Sequence, residues 1–251
     1  MEQNNSPVLI IAHGQPSDPA PAAADLAALA RKVGALVPQR QVASATLAGE
    51  GALAEALAQL GPRGVVFPMF MAGGWFTRVA LGQKLQAAGA ALGADGWQVL
   101  EPFGCDPLAH ALARDIVAEA LTGQDLARSE VLIAAHGSFK SSAPSDVAVA
   151  LARQLVADLG LARADAAFID QTPRLCDAAG FGAGAICLPF FAAMGGHVTD
   201  DIPRALDAAR FGGRVLPPLG LDPRVPALIA AAVARAVPVC VQHCRYSAPA
   251  A

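Results

Sequence analysis

Three histidines and one aspartate hold the positions from which this chain can bind a metal ion or move a proton near neutral pH. His13 follows the apolar run Val8-Leu-Ile-Ile-Ala12, and His136 follows Val131-Leu-Ile-Ala-Ala135. Asp170 follows Ala166-Ala-Phe-Ile169. His197 follows Leu188-Pro-Phe-Phe191 across Ala-Ala-Met-Gly-Gly, a turn of small residues where backbone can approach a ligand closely. The next residues, Val198-Thr-Asp-Asp-Ile-Pro203, read as a helix start, with Pro203 suited to a first turn. A helix amino end disfavours a protonated neighbour and so helps keep an imidazole neutral and able to coordinate. Asp200 and Asp201 read as helix-capping residues.

The elements that must position these residues follow from the hydrophobic pattern. Short apolar runs bounded by turn residues suit strands buried on both faces. Such runs occur at 8–12, 42–47, 64–70, 97–100, 131–135 and 166–169, and at Cys187-Leu-Pro-Phe-Phe191. Helical spacing separates them at 25–37, 52–60, 81–92 and 108–121. This alternation predicts parallel sheets with helices on both faces. Ligands of open parallel sheets bind beyond the carboxyl ends of the strands. His136, His197 and Asp170 are therefore expected on one rim.

The pattern occurs twice. His13-Gly14 returns as His136-Gly137, 123 residues later; Pro68 returns as Pro189, 121 later; and Phe103-Gly-Cys-Asp-Pro107 returns as Leu219-Gly-Leu-Asp-Pro223, with Asp222 116 beyond Asp106. Three landmarks in one order indicate a two-copy duplication rather than a solenoid of short repeats. The expected lobes are 1–122 and 130–239, followed by a tail at 240–251. The Gly-x-Asp-Pro pieces read as turns that end a strand and start a helix. The copies differ chemically. The first has Ala48 opposite Asp170, and Trp75 near the place of His197, in a Pro68-to-Trp75 segment one residue shorter than Pro189-to-His197. Its own site is expected to be degenerate. His13 and Trp75 have two readings: one wall of a shared cleft, where Trp75 would stack on a flat aromatic ligand, or, for Trp75, an ordinary core or domain-interface tryptophan.

The chain has 251 residues, a formal net charge of −3 and 54% hydrophobic residues. No basic stripe points to a nucleic-acid partner. No signal peptide and no apolar run long enough to span a bilayer is evident, so a cytoplasmic protein is expected. The five cysteines, an odd number with no ladder spacing, read as free thiols. Cys240-Val-Gln-His243-Cys244 matches no standard zinc spacing and reads as a partly exposed end.

Strand-His-Gly at the start of each copy, then Pro189-Phe-Phe-Ala-Ala-Met-Gly-Gly-His197-Val-Thr-Asp-Asp-Ile-Pro203, resembles the class II tetrapyrrole chelatases, the sirohydrochlorin cobaltochelatases and ferrochelatases. The likeness covers nearly the whole chain as two tandem copies. It implies an α/β fold of two pseudo-symmetric α/β/α lobes, each with a parallel sheet of about four strands, and an active site between them. It implies insertion of Co2+ or Fe2+ into sirohydrochlorin without an organic cofactor, by a monomer or homodimer. The family's two metal-binding histidines correspond to His136 and His197, and its acidic residue corresponds to Asp170. The family's His-Gly-Ser-Arg reads here as His13-Gly-Gln-Pro and His136-Gly-Ser-Phe, without the arginine.

Imidazole suits Co2+ and Fe2+, and a site with two or three protein ligands leaves positions open for macrocycle nitrogens. A histidine or Asp170 can take the pyrrole protons as general base. The substrate's carboxylates call for cations, and Arg78, Lys140, Arg174 and Arg204 lie beside the motif loops. Two other readings stand beside this one. A non-catalytic protein of the same fold would bind and deliver a metal or tetrapyrrole. A phosphohistidine hydrolase would need an arginine close to His13 or His136, and neither has one.

Overall fold

The computed structural model of the chain describes residues 5–240 and 245–246. The first sheet is built from β1 (Val8–Ala12), β2 (Val42–Thr46), β3 (Gly64–Pro68) and β4 (Trp97–Val99). The second is built from β5 (Glu130–Ala135), β6 (Arg163–Phe168), β7 (Ile186–Pro189) and β8 (Arg214–Val215). The strand orders are β2-β1-β3-β4 and β6-β5-β7-β8, and every pairing is parallel. The expected α/β architecture with two four-stranded parallel sheets is the one observed.

The central strands are apolar along their length because helices cover both faces. Val8 to Ile11 and Val131 to Ala134 are fully buried. The helices are α1 (Pro19–Leu36), α2 (Ala52–Leu60), α3 (Leu81–Ala87), α4 (Pro107–Ala120), α5 (Ala143–Leu159), α6 (Ile202–Ala208) and α7 (Val225–Arg235). Helix α1 starts six residues before the expected Asp25, because Pro19 and Pro21 fit a first turn and the alanines continue it. Helix α3 is shorter than expected: five residues of π-helix (Phe76–Ala80) precede it, and Gly89, at φ +94°, lies just past its end. The same device recurs before α6, where His197–Asp201 form a π-helix.

The chain divides into two compact units, and these differ from the sequence copies 1–122 and 130–239. Among the described residues, one unit comprises 5–106 with 223–240; the other comprises 107–222 with 245–246. Each copy thus gives its last helix to the other unit. Helix α4 packs on α5 and β7, where the His110 Nδ1 lies 2.6 Å from Gln154 Oε1. Helix α7 packs on α1 and β3, and the Arg235 guanidinium donates to Asp106 Oδ1 at 2.7 Å. An amphipathic helix encodes which of its faces is buried, not which sheet buries it. Among the described residues, no helix is long and apolar enough to cross a membrane. Of the tail, Cys240 points its thiol at Glu101 Oε1, 3.9 Å away, while His243 and Cys244 lie outside the described residues.

Candidate metal centre

In the second unit the chain passes from β5 to β6 on one side of the sheet, then returns to β7 on the other. This reversal makes a crevice between the carboxyl ends of β5 and β7. His136 is the first residue after β5, and His197 ends the loop that leaves β7. Asp170 follows β6 and is tied to the same rim by its backbone N–H, which donates to the His136 carbonyl at 2.9 Å.

The turn after His136 needs glycine. Gly137 sits at φ +77°, and a Cβ there would meet Gln171 Cγ at 2.6 Å. The Gln171 side-chain oxygen accepts from the Ser138 N–H at 2.7 Å and so fixes that turn. His197 is fixed from its carboxyl side. Ile202 and Leu206, one turn apart on α6, are buried in a cluster with Leu132, Ala167, Leu175 and Cys187. Burial pushes the Cys187 thiol up to about 12, which leaves it a packing group and not a metal ligand.

The two imidazoles meet edge to face with centroids 4.5 Å apart, and their Nε2 atoms are 3.1 Å apart. At the far side of each ring, Nδ1 faces only acceptors. His197 Nδ1 lies 2.7 Å from Asp201 Oδ2; His136 Nδ1 lies 3.1 Å from the Gly137 carbonyl and 3.5 Å from Asp170 Oδ2. Each of these acceptors can take a hydrogen bond from Nδ1, and a ring in that tautomer presents Nε2 as a ligand atom. The two Nε2 atoms face each other at a spacing close to that of two ligands on one ion. Nitrogen ligands about 2.1 Å from one tetrahedral ion lie about 3.4 Å apart, so a few tenths of an ångström of opening admits an ion. Both histidines are close to half exposed. Among the described residues, no group of three or more His, Cys, Asp or Glu side chains converges to hold an ion.

Lys140, Arg174 and Arg204 belong to the same unit: Lys140 on the loop after β5, Arg174 on the loop after β6 and Arg204 on α6, all exposed. His13, Trp75 and Arg78 belong to the first unit. There the His13 ring stacks on Phe70 at 4.3 Å and lies 4.5 Å from Phe76, while Trp75 is 57% exposed.

The two units can be compared through their matching π-helices. Phe76, not Trp75, occupies the position of His197, and Ala80 that of Asp201. Phe76 stands eight residues after Pro68, as His197 does after Pro189, a count available from the sequence. Ala48 does stand opposite Asp170: its N–H donates to the His13 carbonyl at 3.0 Å, the counterpart of the Asp170 bond. The first unit therefore keeps the leading histidine and replaces the other three groups by Phe76, Ala48 and Ala80.

Two expectations need correction. Asp201 does not cap α6: its side chain makes no capping bond and turns instead to His197, four residues back. Nor is the Leu219-Gly-Leu-Asp-Pro223 turn only a strand stop. The Gly220 N–H donates to the Phe191 carbonyl at 2.9 Å, and a Cβ on Gly220 would collide with the Ala192 carbonyl. Gly104 contacts Phe70 and Met71 in the same way. Each glycine braces the loop that follows the third strand of its sheet, and its recurrence in both copies was the available signal.

The family model CbiX matches the chain twice, over residues 7–120 and 130–236. Among solved structures, the chain is similar to CbiX, the terminal enzyme for biosynthesis of siroheme in denitrifying bacteria. Identity is 46%, coverage 92% of this chain and 99% of that one, and the TM-score 0.83. It shares its fold with SirB from Bacillus subtilis bound to Fe3+, at 14% identity, coverage of 93% and 96%, and TM-score 0.68. The sirohydrochlorin chelatase SirB from Bacillus subtilis subspecies spizizenii, in complex with cobalt, matches at 15% identity, coverage of 93% and 95%, and TM-score 0.66. None of the proteins with curated functions matches.

Proposed function

The chain belongs to the CbiX family, and from that premise we propose that it is a sirohydrochlorin chelatase, inserting Co2+ or Fe2+ into the tetrapyrrole for siroheme or cobalamin biosynthesis. The observation that carries this reading is the convergence of two imidazole nitrogens, 3.1 Å apart on an accessible rim. A chelatase must take an ion from water, strip part of its hydration shell and give it up again. Two converging imidazoles suit that cycle: they replace water, hold the ion moderately and leave positions open for pyrrole nitrogens.

The macrocycle must lose two protons as the metal enters. Asp170, 42% exposed and beside His136, is the carboxylate placed to accept them, with the imidazoles as alternative acceptors once the ion departs. Lys140, Arg174 and Arg204 are proposed to pair with the substrate's carboxylates. Phe139, 78% exposed, and Met194, 49% exposed, lie on the two loops that carry the histidines. They supply apolar surface for the face of the ring.

The test is incubation of the purified protein with sirohydrochlorin and Co2+, Fe2+ or Ni2+, followed by absorption. Acceleration over the uncatalysed reaction through many turnovers, abolished in His197→Ala, is expected. Binding without turnover would replace the enzyme reading by metal or tetrapyrrole delivery. No effect of His197→Ala would remove the assigned site.

A further inference from the structure

The carboxylate of Asp201 lies 2.7 Å from Nδ1 of His197, the nitrogen on the far side of the ring from His136. Asp201 is the residue before α6, where a capping bond is ordinary, yet it makes none. Its position follows from the π-helix of residues 197–201, a wide turn of a kind found often at functional sites. The contact does not serve stability to any great extent, because the two side chains are 47% and 38% exposed. The first unit supplies an internal comparison. It has the same π-helix, with Phe76 in place of the histidine, and there the carboxylate position is Ala80. The acid is absent from the copy that has no imidazole to orient.

We propose that Asp201 is a positioning residue for metal capture. By accepting the Nδ1–H it holds His197 in one rotamer and one tautomer, so that the Nε2 lone pair stays aimed at the ion. Carboxylates that back a ligating histidine in this way raise its basicity and fix its ring. Asp201 does not touch the ion, since the whole imidazole lies between them. Asp170 does not do the same for His136: it stands 3.5 Å from Nδ1, and the Gly137 carbonyl is closer at 3.1 Å. The division of labour leaves Asp170 available as a base and commits Asp201 to the histidine.

This inference rests on the reading of His136 and His197 as the ion-binding pair, and its test separates the two. Co2+ binding is followed by the visible d–d bands of the ion in the wild type, Asp201→Ala, Asp201→Asn and His197→Ala, with the thermal midpoint of each. Asp201→Ala should weaken Co2+ binding by about 10- to 100-fold and raise the metal KM more than it lowers kcat, with the midpoint little changed. Asp201→Asn keeps an acceptor oxygen and should recover part of the loss. Unchanged Co2+ affinity in Asp201→Ala, with His197→Ala impaired, would overturn the positioning role alone. Unchanged affinity in His197→Ala would overturn the site, and the role of Asp201 with it. A lowered midpoint in Asp201→Ala, with affinity unchanged, would return Asp201 to a structural helix-start residue.

Discussion

The first unit keeps part of the side-chain arrangement of the proposed ion site, and completing it is a direct use of the geometry. His13 and Phe76 have ring centroids 4.5 Å apart, the same separation as His136 and His197. Phe76→His should bring a second imidazole nitrogen pair into being, and Ala80→Asp should give the new ring its backing carboxylate. The structural cost can be bounded. Phe76 is half-buried against the core that contains Phe70 and Leu81, so exchanging its ring for imidazole loses about 1 kcal/mol of apolar burial. Ala80 is only 8% exposed, and taking a carboxylate out of water there costs several kcal/mol before its contact with the new ring offsets part of it. The sum reaches the lower end of the stability of an ordinary domain, about 5–15 kcal/mol, so the fold of the double variant is checked first by circular dichroism. Equilibrium dialysis with Co2+ should show stoichiometry rising from one to two in the double variant. Phe76→His alone should bind its second ion about 10- to 100-fold more weakly. Adding His13→Ala should return the count to one. A folded double variant that still binds a single equivalent would refute the correspondence of Phe76 with His197 and of Ala80 with Asp201.

Gly220→Ala should destabilise the protein by about 1–3 kcal/mol in denaturant unfolding, since its Cβ has the Ala192 carbonyl in its way. It should also weaken Co2+ binding through the loop that carries His197; a variant with wild-type stability would contradict the bracing role. Fragments 1–122 and 130–251 expressed apart should each expose an uncovered sheet face, one lacking α7 and the other α4, and co-expressed they should co-purify in equal amounts. Stable monomers of each fragment would contradict the exchange of helices. Cys187 should resist alkylation at pH 8 until the protein unfolds, because its thiol is pushed up to about 12 by burial. The unfolded chain ionises that thiol from about pH 8.5, so its contribution to stability is full below that pH and is lost as pH rises towards 12. Alkaline unfolding unchanged in Cys187→Ala would contradict this.

The placement of His136, His197 and Asp170 at one end of the second sheet was legible because strand ends are written plainly. An apolar run stopped by His-Gly places the histidine at a carboxyl end, and a carboxylate after the neighbouring run falls on the same rim. The correspondence of Ala48 with Asp170 could be read in the same way. Asp201 could not, because an acid before a helix satisfies the capping rule whether or not its side chain caps; the π-helix decides its direction, and no periodicity announces a π-helix. Gly220 was seen as a turn residue, but the constraint on it is a carbonyl nearly thirty residues earlier in the chain. The exchange of α4 and α7 was hidden because the copies are alike: either helix has an apolar face fit for either sheet.

In the proposed cycle one ion, held between His136 and His197, is passed to the macrocycle. This transfer is tested most directly by preloading the protein with one equivalent of Co2+, removing free ion and mixing with sirohydrochlorin in a stopped-flow spectrophotometer. The expected result is a single phase of metal insertion, with amplitude equal to the bound cobalt and a rate above that of the same concentration of free Co2+, both lost in His136→Ala and His197→Ala. Insertion no faster than with free Co2+, or a phase that survives in both variants, would contradict it.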